Sequence, residues 1–395
     1  MNKISHRLGV SAGLFIVFTH ASFALDNYTL VDIAAGADSY AWAVNSQGDV
    51  VGENSTDRAF VYSNGQLTEL PTLSGHSVAF DINDAGQIVG FSTDANGFTQ
   101  AVLWENGFIT NLGISATNYS RAIAINNQGQ IAGVFADSAD NERLFLYANG
   151  VMTDLGPLGI NSWWEYPLID INDAGVISHF SSDNGSGQPQ ARLHNDGSIV
   201  ELGTAAGNTS LAAGINNNNV AAGSVGDALA SNLDLGIFGD MPDGQAAVFE
   251  NGAVTLLDAP ANLSYYAGTA ASDINDAGQI VGGAAAAATS GFWPTSARGF
   301  IYEAGTGTVD LNDLVVAATS PDEALADADI WTVVWGEAIN NNGVIAANAW
   351  STRFFGPSRA VVLVPVTLEE QTTTVSSATP TENTQTDQAA TTAGD

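Results

Sequence analysis

The sequence predicts an all-β protein, a seven-bladed β-propeller whose blades are four-stranded sheets. Three observations predict it. The turn phrase Asn-x-x-Gly, with one variation, occurs seven times at intervals of 38 to 65 residues, a spacing typical of repeat proteins. The stretches between these turns alternate apolar and polar residues, as half-buried strands do. The 42 glycines beside 11 prolines indicate many tight turns.

Each repeat reads as four short strands joined by two kinds of turn. In the first turn the asparagine side chain closes an Asx turn and glycine accepts a positive φ. The second turn is an Asn-Gly or similar step, which is typical of a tight hairpin. In the second repeat we predict strands at 77–82, 87–91, 100–104 and 108–112. The first turns begin at Asn45, Asn83, Asn126, Asn172, Asn216, Asn275 and Asn340, and Asn219 replaces the glycine in the fifth repeat.

The two ends of the chain predict a closed ring. The seventh repeat provides strands at 336–339, 344–347 and 359–364 but lacks a fourth. Residues 28–33, before the first repeat, have the character of the missing strand. We therefore expect the N-terminal strand to complete the last blade. Closure then takes the place of disulfides, because the chain has no cysteine.

The propeller is predicted to span residues 25–366, between two segments of a different kind. Residues 1–24 place Lys3 and Arg7 before an apolar run and end in Ser22-Phe23-Ala24, the pattern of a secretory signal peptide. Residues 367–395 form an acidic, threonine-rich tail with few large apolar groups, which predicts disorder. We expect an exported protein, extracellular or periplasmic.

The charge of the chain argues against two classes of partner. Without its first 24 residues the chain keeps seven arginines, no lysine and all 42 acidic residues. Such a surface repels nucleic-acid phosphates and anionic lipid. No later stretch reaches the roughly 18 apolar residues of a membrane span. We predict a monomer with neither nucleic acid nor membrane as its partner.

Several phrases of the repeats are shared with a known family. They are Asp81-Ile-Asn-Asp-Ala-Gly-Gln-Ile-Val-Gly90, Met152-Thr-Asp-Leu-Gly156, Asp310-Leu-Asn-Asp-Leu314, Ala338-Ile-Asn-Asn-Asn-Gly343 and Arg359-Ala-Val-Val-Leu-Val-Pro365. In these the chain resembles the HAF repeat family of bacterial extracellular proteins, over about residues 28–366. The resemblance implies a propeller-like repeat fold and export. The family's His-Ala-Phe step is here Arg58-Ala-Phe60, so no role of that histidine carries over.

Antiparallel strands place all the asparagine turns on one face of the ring, the Asn-turn face. The blade-to-blade connections and the loops between second and third strands lie on the other, the loop face, where loop length varies. The insertion at 312–335 is predicted to contain a short helix that begins at Ser320.

Binding residues usually lie in variable loops, and aromatic rings can stack on sugars. The alternative is that these rings fill gaps between blades. The aromatic ligand-binding candidates on the loop face are Trp163, Trp164, Tyr166, Tyr265, Tyr266, Trp293, Trp331 and Trp335.

Three aspartates recur at one position of the innermost strand. Asp81, Asp170 and Asp273 belong to the second, fourth and sixth repeats. A ring of carboxylates at one level of the channel is a candidate calcium site, and calcium is the cofactor that the sequence suggests. The alternative is that each carboxylate bonds the backbone of its own turn or of the neighbouring blade.

The sequence contains none of the common hydrolase or nucleotide-binding motifs. His76, in a connection on the loop face, is the candidate catalytic base, with Tyr119 and Arg121 as candidate neighbours. The alternative is an exposed histidine without a chemical role.

These features predict a secreted binding or scaffold protein. It would present an aromatic, acidic loop face to an extracellular ligand, either a neutral glycan or a partner protein. The alternative is a propeller-type polysaccharide lyase or glycoside hydrolase. A lyase needs cations to neutralise a uronate, and a hydrolase needs two carboxylates in one pocket, which the sequence alone does not locate.

Overall fold

In a computed structural model the chain forms seven sheets arranged as the blades of a β-propeller. The structure describes residues 25–33, 38–114, 119–159, 168–182, 188–205, 209–226, 244–263, 268–285, 297–320, 331–351 and 358–366. The predicted signal peptide at 1–24 and the predicted tail at 367–395 lie outside these residues.

Blades 1 to 6 are antiparallel sheets of four strands in chain order, from the channel outward. Blade 1 consists of β2 (Tyr40–Val44), β3 (Val50–Glu53), β4 (Ala59–Ser63) and β5 (Gln66–Glu69), and blade 2 of β6 (Ser77–Ile82), β7 (Ile88–Thr93), β8 (Thr99–Glu105) and β9 (Phe108–Asn111). Blade 3 consists of β10 (Ser120–Ile125), β11 (Ile131–Ala136), β12 (Glu142–Ala148) and β13 (Val151–Pro157), and blade 4 of β14 (Asp170–Ile171), β15 (Ile177–Ser181), β16 (Gln190–Asn195) and β17 (Ser198–Glu201). Blade 5 consists of β18 (Thr209–Ile215), β19 (Ala221–Gly226), β20 (Gly244–Glu250) and β21 (Ala253–Leu256), and blade 6 of β22 (Gly268–Ile274), β23 (Ile280–Ala285), β24 (Arg298–Glu303) and β25 (Gly307–Asp310). Short 3₁₀ turns lie at Ala261–Leu263 and Leu311–Asp313.

Blade 7 is where the chain closes on itself. It consists of β27 (Trp331–Ile339), β28 (Ile345–Ser351) and β29 (Arg359–Pro365), followed by the N-terminal strand β1 (Tyr28–Asp32). Strand β1 runs antiparallel to β29, with Leu30 opposite Leu363. The predicted closure by the N-terminal strand is confirmed.

Blade 7 also differs from the prediction in two respects. A fifth strand, β26 (Val315–Thr319), pairs in parallel with the outer side of β1, where we expected only a loop insertion. The innermost strand β27 begins at Trp331, five residues before the predicted start at Gly336. The predicted helix after Ser320 falls on residues 321–330, outside the described residues.

The seven turn asparagines join the blades into a closed ring of hydrogen bonds. The side-chain Nδ2 of each asparagine donates to the backbone oxygen of the equivalent asparagine in the next blade, over 2.7 to 3.4 Å. The bond from Asn340 to Asn45 completes the circle. The same side chains close their own turns: Oδ1 of Asn126 accepts the backbone N–H groups of Gln128 and Gln130.

Apolar side chains from facing sheets fill the space between the blades. Between blades 2 and 3, for example, Val89 and Ala101 belong to one buried cluster with Ile131 and Phe145. In the described residues no helix has the length and the apolar character needed to cross a membrane.

We expect Asn126→Ala to lower the free energy of unfolding by about 2 to 3 kcal/mol, because several hydrogen bonds of a buried side chain are lost at roughly 1 kcal/mol each. Urea denaturation measures the effect. The control is Asn96→Ala, at an exposed turn position where the side chain makes no hydrogen bond within the described structure, with a change below about 0.5 kcal/mol. Equal stability of the two variants would contradict the role given to the ring.

Candidate functional site

A β-bulge in the innermost strand shapes the wall of the channel. In blade 2, Ala79 lies opposite Gly90 and Asp81 opposite Val89, so that Phe80 is the extra residue. The innermost strands of blades 1, 3, 5, 6 and 7 carry the same irregularity at the same place. A bulge re-aims the side chains beside it. As a result, the second and third residues before each asparagine both line the channel.

The residues at the bulge position make the channel wall asymmetric. They are aromatic or large and apolar in blades 1 to 4, small in blades 5 and 6, and acidic in blade 7. In chain order they are Trp42, Phe80, Ile123, Ile169, Ala213, Ser272 and Glu337. The loop-face cavity that they line has a volume of about 200 Å³. We call this cavity the channel mouth. It is smaller than the roughly 300 to 1,000 Å³ of drug-sized ligand sites, so its size suits one small group or the end of a longer molecule.

Three aspartates form the floor of the channel mouth. Asp81 and Asp170 also line a second cavity of about 190 Å³ on the Asn-turn face, so the aspartate level separates the two cavities. The residues at this position alternate between aspartate in even blades and alanine or glycine in odd blades. They are Ala43, Asp81, Ala124, Asp170, Gly214, Asp273 and Ala338.

Each of these aspartates ties its own blade to the next odd blade. Asp81 accepts the backbone N–H groups of Ile82 and Ile125, both over 2.7 Å. Asp170 and Asp273 make the same pair of bonds, the second to Ile215 and Ile339. The small residues of the odd blades make room for this arrangement: a Cβ on Gly214 would lie 2.8 Å from the Cα of Asp273.

Burial gives the three carboxyls unusual acidities. Loss of hydration raises the pKa of Asp81 to about 7 and of Asp170 to about 8, and it also raises the pKa of Asp273. Repulsion between the carboxylates adds to the rise at Asp170, and the accepted N–H bonds oppose it. The floor of the channel mouth therefore takes up protons near neutral pH.

The predicted calcium site does not fit this arrangement. Both oxygens of each carboxylate accept backbone N–H groups, which was the alternative expectation. Moreover, within the described ranges no three His, Cys, Asp or Glu side chains are grouped so as to hold a metal ion.

Glu337 lies at the junction of blades 7 and 1. Its Oε1 accepts a hydrogen bond of 2.8 Å from Nδ2 of Asn348, whose Oδ1 accepts the N–H of Ala41 in blade 1. Burial raises the pKa of Glu337 to about 8. This carboxyl is therefore mostly protonated at pH 7, and the amide of Asn348 holds it beside blade 1.

Two of the predicted ligand-binding aromatics lie within the described residues. Trp335 lines the channel mouth, where its Nε1 donates to Oγ of Ser272 over 2.6 Å. Its ring lies against Gly283, where an added Cβ would come within 2.0 Å of a ring carbon. Trp331 is only 6% exposed and packs in the core of blade 7, so it contributes to the core and has little surface for a ligand. The other six candidates, Trp163, Trp164, Tyr166, Tyr265, Tyr266 and Trp293, lie outside the described residues.

The three candidate catalytic residues come together around Phe91. The ring of His76 meets Phe91 edge-on, with centroids 5.1 Å apart. The guanidinium of Arg121 lies 5.1 Å from the ring centroids of both Phe91 and Tyr119. Burial raises the pKa of the Tyr119 hydroxyl. A fourth residue, Glu53, was not predicted from the sequence; its Oε1 lies 2.6 Å from Nε2 of His76.

Trp42, Phe80 and Glu337 were also missed as lining residues of the site. A signal for them existed, because each stands three residues before a turn asparagine. Neighbouring residues of a regular strand point to opposite sides, so a strand whose aspartate faces the channel would direct the preceding residue away from the channel. Only the bulge brings both residues to the channel side.

Comparison with known proteins gives a fold-level likeness. No protein-family model matches the chain, and no curated protein resembles it in sequence. Among solved structures, YCF48 from Cyanidioschyzon merolae matches with a TM-score of 0.47 and 8% identity, over 85% of this chain and 99% of that chain. The β-propeller domain of the Trilobed protease from Pyrococcus furiosus has a TM-score of 0.46 and 8% identity, over 82% and 97%. A gluconolactonase from Xanthomonas campestris has a TM-score of 0.43 and 8% identity, over 88% and 94%.

We expect the free energy of unfolding to fall as the pH rises from 5 to 9. The aspartates of the channel floor have a higher pKa in the folded than in the unfolded chain, so the folded state binds more protons in this window and its advantage is lost as the pH rises. We expect a loss of more than about 2 kcal/mol, since one pKa unit corresponds to about 1.4 kcal/mol. Asp81→Asn should flatten the dependence, measured by urea unfolding at each pH.

The control for this measurement is Asp258→Asn, at an exposed aspartate. It should leave the slope of stability against pH unchanged. A wild-type protein that is as stable at pH 9 as at pH 5 would refute the assignment of raised pKa values to the channel floor.

Proposed function

We propose that this protein is an exported propeller that binds the end of a neutral glycan in the channel mouth. The observation that carries the proposal is the asymmetry of the bulge residues. A ring of equivalent residues would suit a structural channel, whereas here blades 1 and 2 contribute the aromatic Trp42 and Phe80, and blades 6 and 7, which adjoin them in the ring, contribute the polar Ser272 and Glu337.

This combination of groups suits a sugar unit. A half-buried indole such as Trp42 offers a flat apolar surface on which the C–H face of a sugar ring can stack. The hydroxyls of the sugar need polar partners inside a cavity, because a buried polar group without a hydrogen bond costs free energy. Glu337 supplies such a partner, and its protonated carboxyl can both donate and accept.

The charge favours a neutral ligand over an anionic one. Among the residues that the structure describes, four carboxyl groups line the channel mouth, those of Asp81, Asp170, Asp273 and Glu337, and no arginine or lysine does. An anion entering the cavity would meet repulsion as these groups ionise. The concave shape and small volume also favour the end of a glycan over the broad surface of a partner protein.

Export and membership of the HAF repeat family remain parts of this proposal. They are supported by the signal-peptide pattern of residues 1–24 and by the repeated phrases of the blades. In this proposal the predicted loop aromatics, such as Trp163 and Trp164, also contact the glycan.

Binding of neutral oligosaccharides, screened on a glycan array and measured by titration calorimetry, tests the proposal. Trp42→Ala should weaken the affinity for the bound glycan by about tenfold or more, because burial of an aromatic side chain is worth roughly 1.5 to 3 kcal/mol. Phe108→Ala is the control, since Phe108 is 75% exposed on the outer strand β9.

Two outcomes would count against this site. If no neutral glycan binds, the function is wrong. If Trp42→Ala binds as tightly as the wild type while the double variant Trp163→Ala plus Trp164→Ala does not bind, the glycan contacts the loops and the channel mouth is not the site. Thermal unfolding establishes that each variant is folded.

A glycoside hydrolase is a second candidate, and Glu337 favours it. A carboxylic acid whose pKa is raised to about 8 by burial is protonated at neutral pH, as the general acid of such an enzyme must be. The second catalytic group, an ionised carboxylate, would come from Asp81, because its pKa of about 7 leaves part of it ionised at neutral pH.

If this candidate is right, release of reducing ends from a neutral polysaccharide will fall as the pH rises through about 8, as Glu337 loses its proton. Glu337→Gln should reduce the rate by about 100-fold or more, the contribution typical of a general acid. Asp258→Asn serves as the control. A polysaccharide panel that yields no reducing ends with the wild-type protein excludes the enzyme and leaves glycan binding standing.

A further inference from the structure

We propose that a second subsite lies beside the channel mouth and that it binds the continuing chain of a neutral oligosaccharide. It consists of Glu53, His76, Phe91, Tyr119 and Arg121, which we call the His76 patch. The inference rests on the proposed function of the channel mouth. It adds that the ligand is a chain of several sugar units that runs outward over blades 1 to 3.

The patch and the channel mouth share one continuous aromatic layer. Trp42 meets Phe80 edge-on with ring centroids 6.1 Å apart, and Phe80 lies 5.8 Å from Phe91. Phe91 in turn contacts His76. Phe80 and Phe91 are themselves buried, so they support a surface whose accessible groups are Trp42 at the channel end and His76 at the outer end.

The polar groups of the patch are held in place before any ligand arrives. Glu53, with 11% of its side chain exposed, fixes the ring of His76 through Nε2. The His76 side chain is 42% exposed, and the described structure shows no hydrogen bond at its Nδ1. The guanidinium of Arg121 is held between two aromatic rings. Groups ordered in advance lose little entropy on binding, which favours the recognition of hydroxyls at fixed positions.

The charges of the patch again favour a neutral chain. The carboxylate of Glu53 faces His76, and Glu142 lies close enough to Tyr119 to raise the pKa of its hydroxyl, beside Arg121. His76 therefore has an acidic partner, and an acidic side chain also acts on Tyr119, the ring over which the guanidinium of Arg121 lies. A uronate polymer would need an excess of positive charge, which this pairing removes.

The dependence of affinity on chain length tests the subsite. The probes are the cello-, malto- and xylo-oligosaccharide series from two to six units, measured by titration calorimetry. In the series that binds, the wild-type affinity should rise about tenfold with length, as expected when hydrogen bonds to charged groups are added. His76→Ala and Arg121→Gln should abolish this rise and leave the affinity for the disaccharide within about twofold.

Two further variants make the test specific. Glu53→Gln keeps the shape of the side chain but weakens the positioning of His76, so the rise with length should shrink without a loss of folding. Arg143→Gln is the matched control, because Arg143 pairs with Asp154 in the outer half of blade 3. It should keep the full rise.

The outcomes separate the two proposals. If a disaccharide binds but affinity does not rise with length, or if His76→Ala and Arg121→Gln keep the rise, the subsite is refuted and the channel mouth stands. If no oligosaccharide of any length binds, both are refuted. Unsaturated products from polygalacturonate or alginate, detected by ultraviolet absorbance with the wild-type protein and lost in His76→Ala, would instead identify the patch as the site of a lyase and overturn the inference.

Discussion

The fold depends on one residue type that makes a local and a tertiary bond at the same time. Each turn asparagine closes its own turn through Oδ1 and holds the next blade through Nδ2. The amide of asparagine places an acceptor and a donor on two separate atoms of a short side chain: aspartate lacks the donor, a hydroxyl has a single polar atom, and glutamine is one carbon longer. The turn that shapes a blade is thus also the bond that joins it to its neighbour.

The candidate site arises where the alternation of the repeats breaks down. Aspartate in the even blades needs a small residue in the odd blades, but a ring of seven cannot alternate throughout. Blades 7 and 1, which are neighbours in the ring, are therefore both odd, and they carry Ala338 and Ala43 at the position that aspartate occupies in the even blades. Glu337, Asn348 and the backbone of Ala41 make the connection there instead. At this junction Glu337 of blade 7 and Trp42 of blade 1 are neighbours in ring order.

The repeat pattern predicted the fold, its closure and the strands of blade 2, because turns and alternation are local properties. The bulge was not predicted, since a register shift of one residue arises only from pairing with the adjacent strand. Trp42, Phe80 and Glu337 were missed for that reason. The pairing of Glu53 with His76 joins residues of different blades, and nothing in their spacing indicates it. His76 and Arg121 both lie against Phe91, with Tyr119 beside Arg121, because all three lie near the ends of innermost strands on the loop face; their catalytic role stays a prediction.

The position of β1 has a consequence for how the chain folds. The strand lies between β26 and β29, and Asp32 pairs with Arg359, 327 positions further along the chain. Sheets made of consecutive strands can form as they are synthesised, but blade 7 has to wait for the end of the propeller to emerge. Joining such distant segments adds little entropy cost, because the cost of closing a loop grows only with the logarithm of its length. Circularisation is therefore a late event, and a chain that ends before residue 359 lacks β29, so its first strand can pair only with β26.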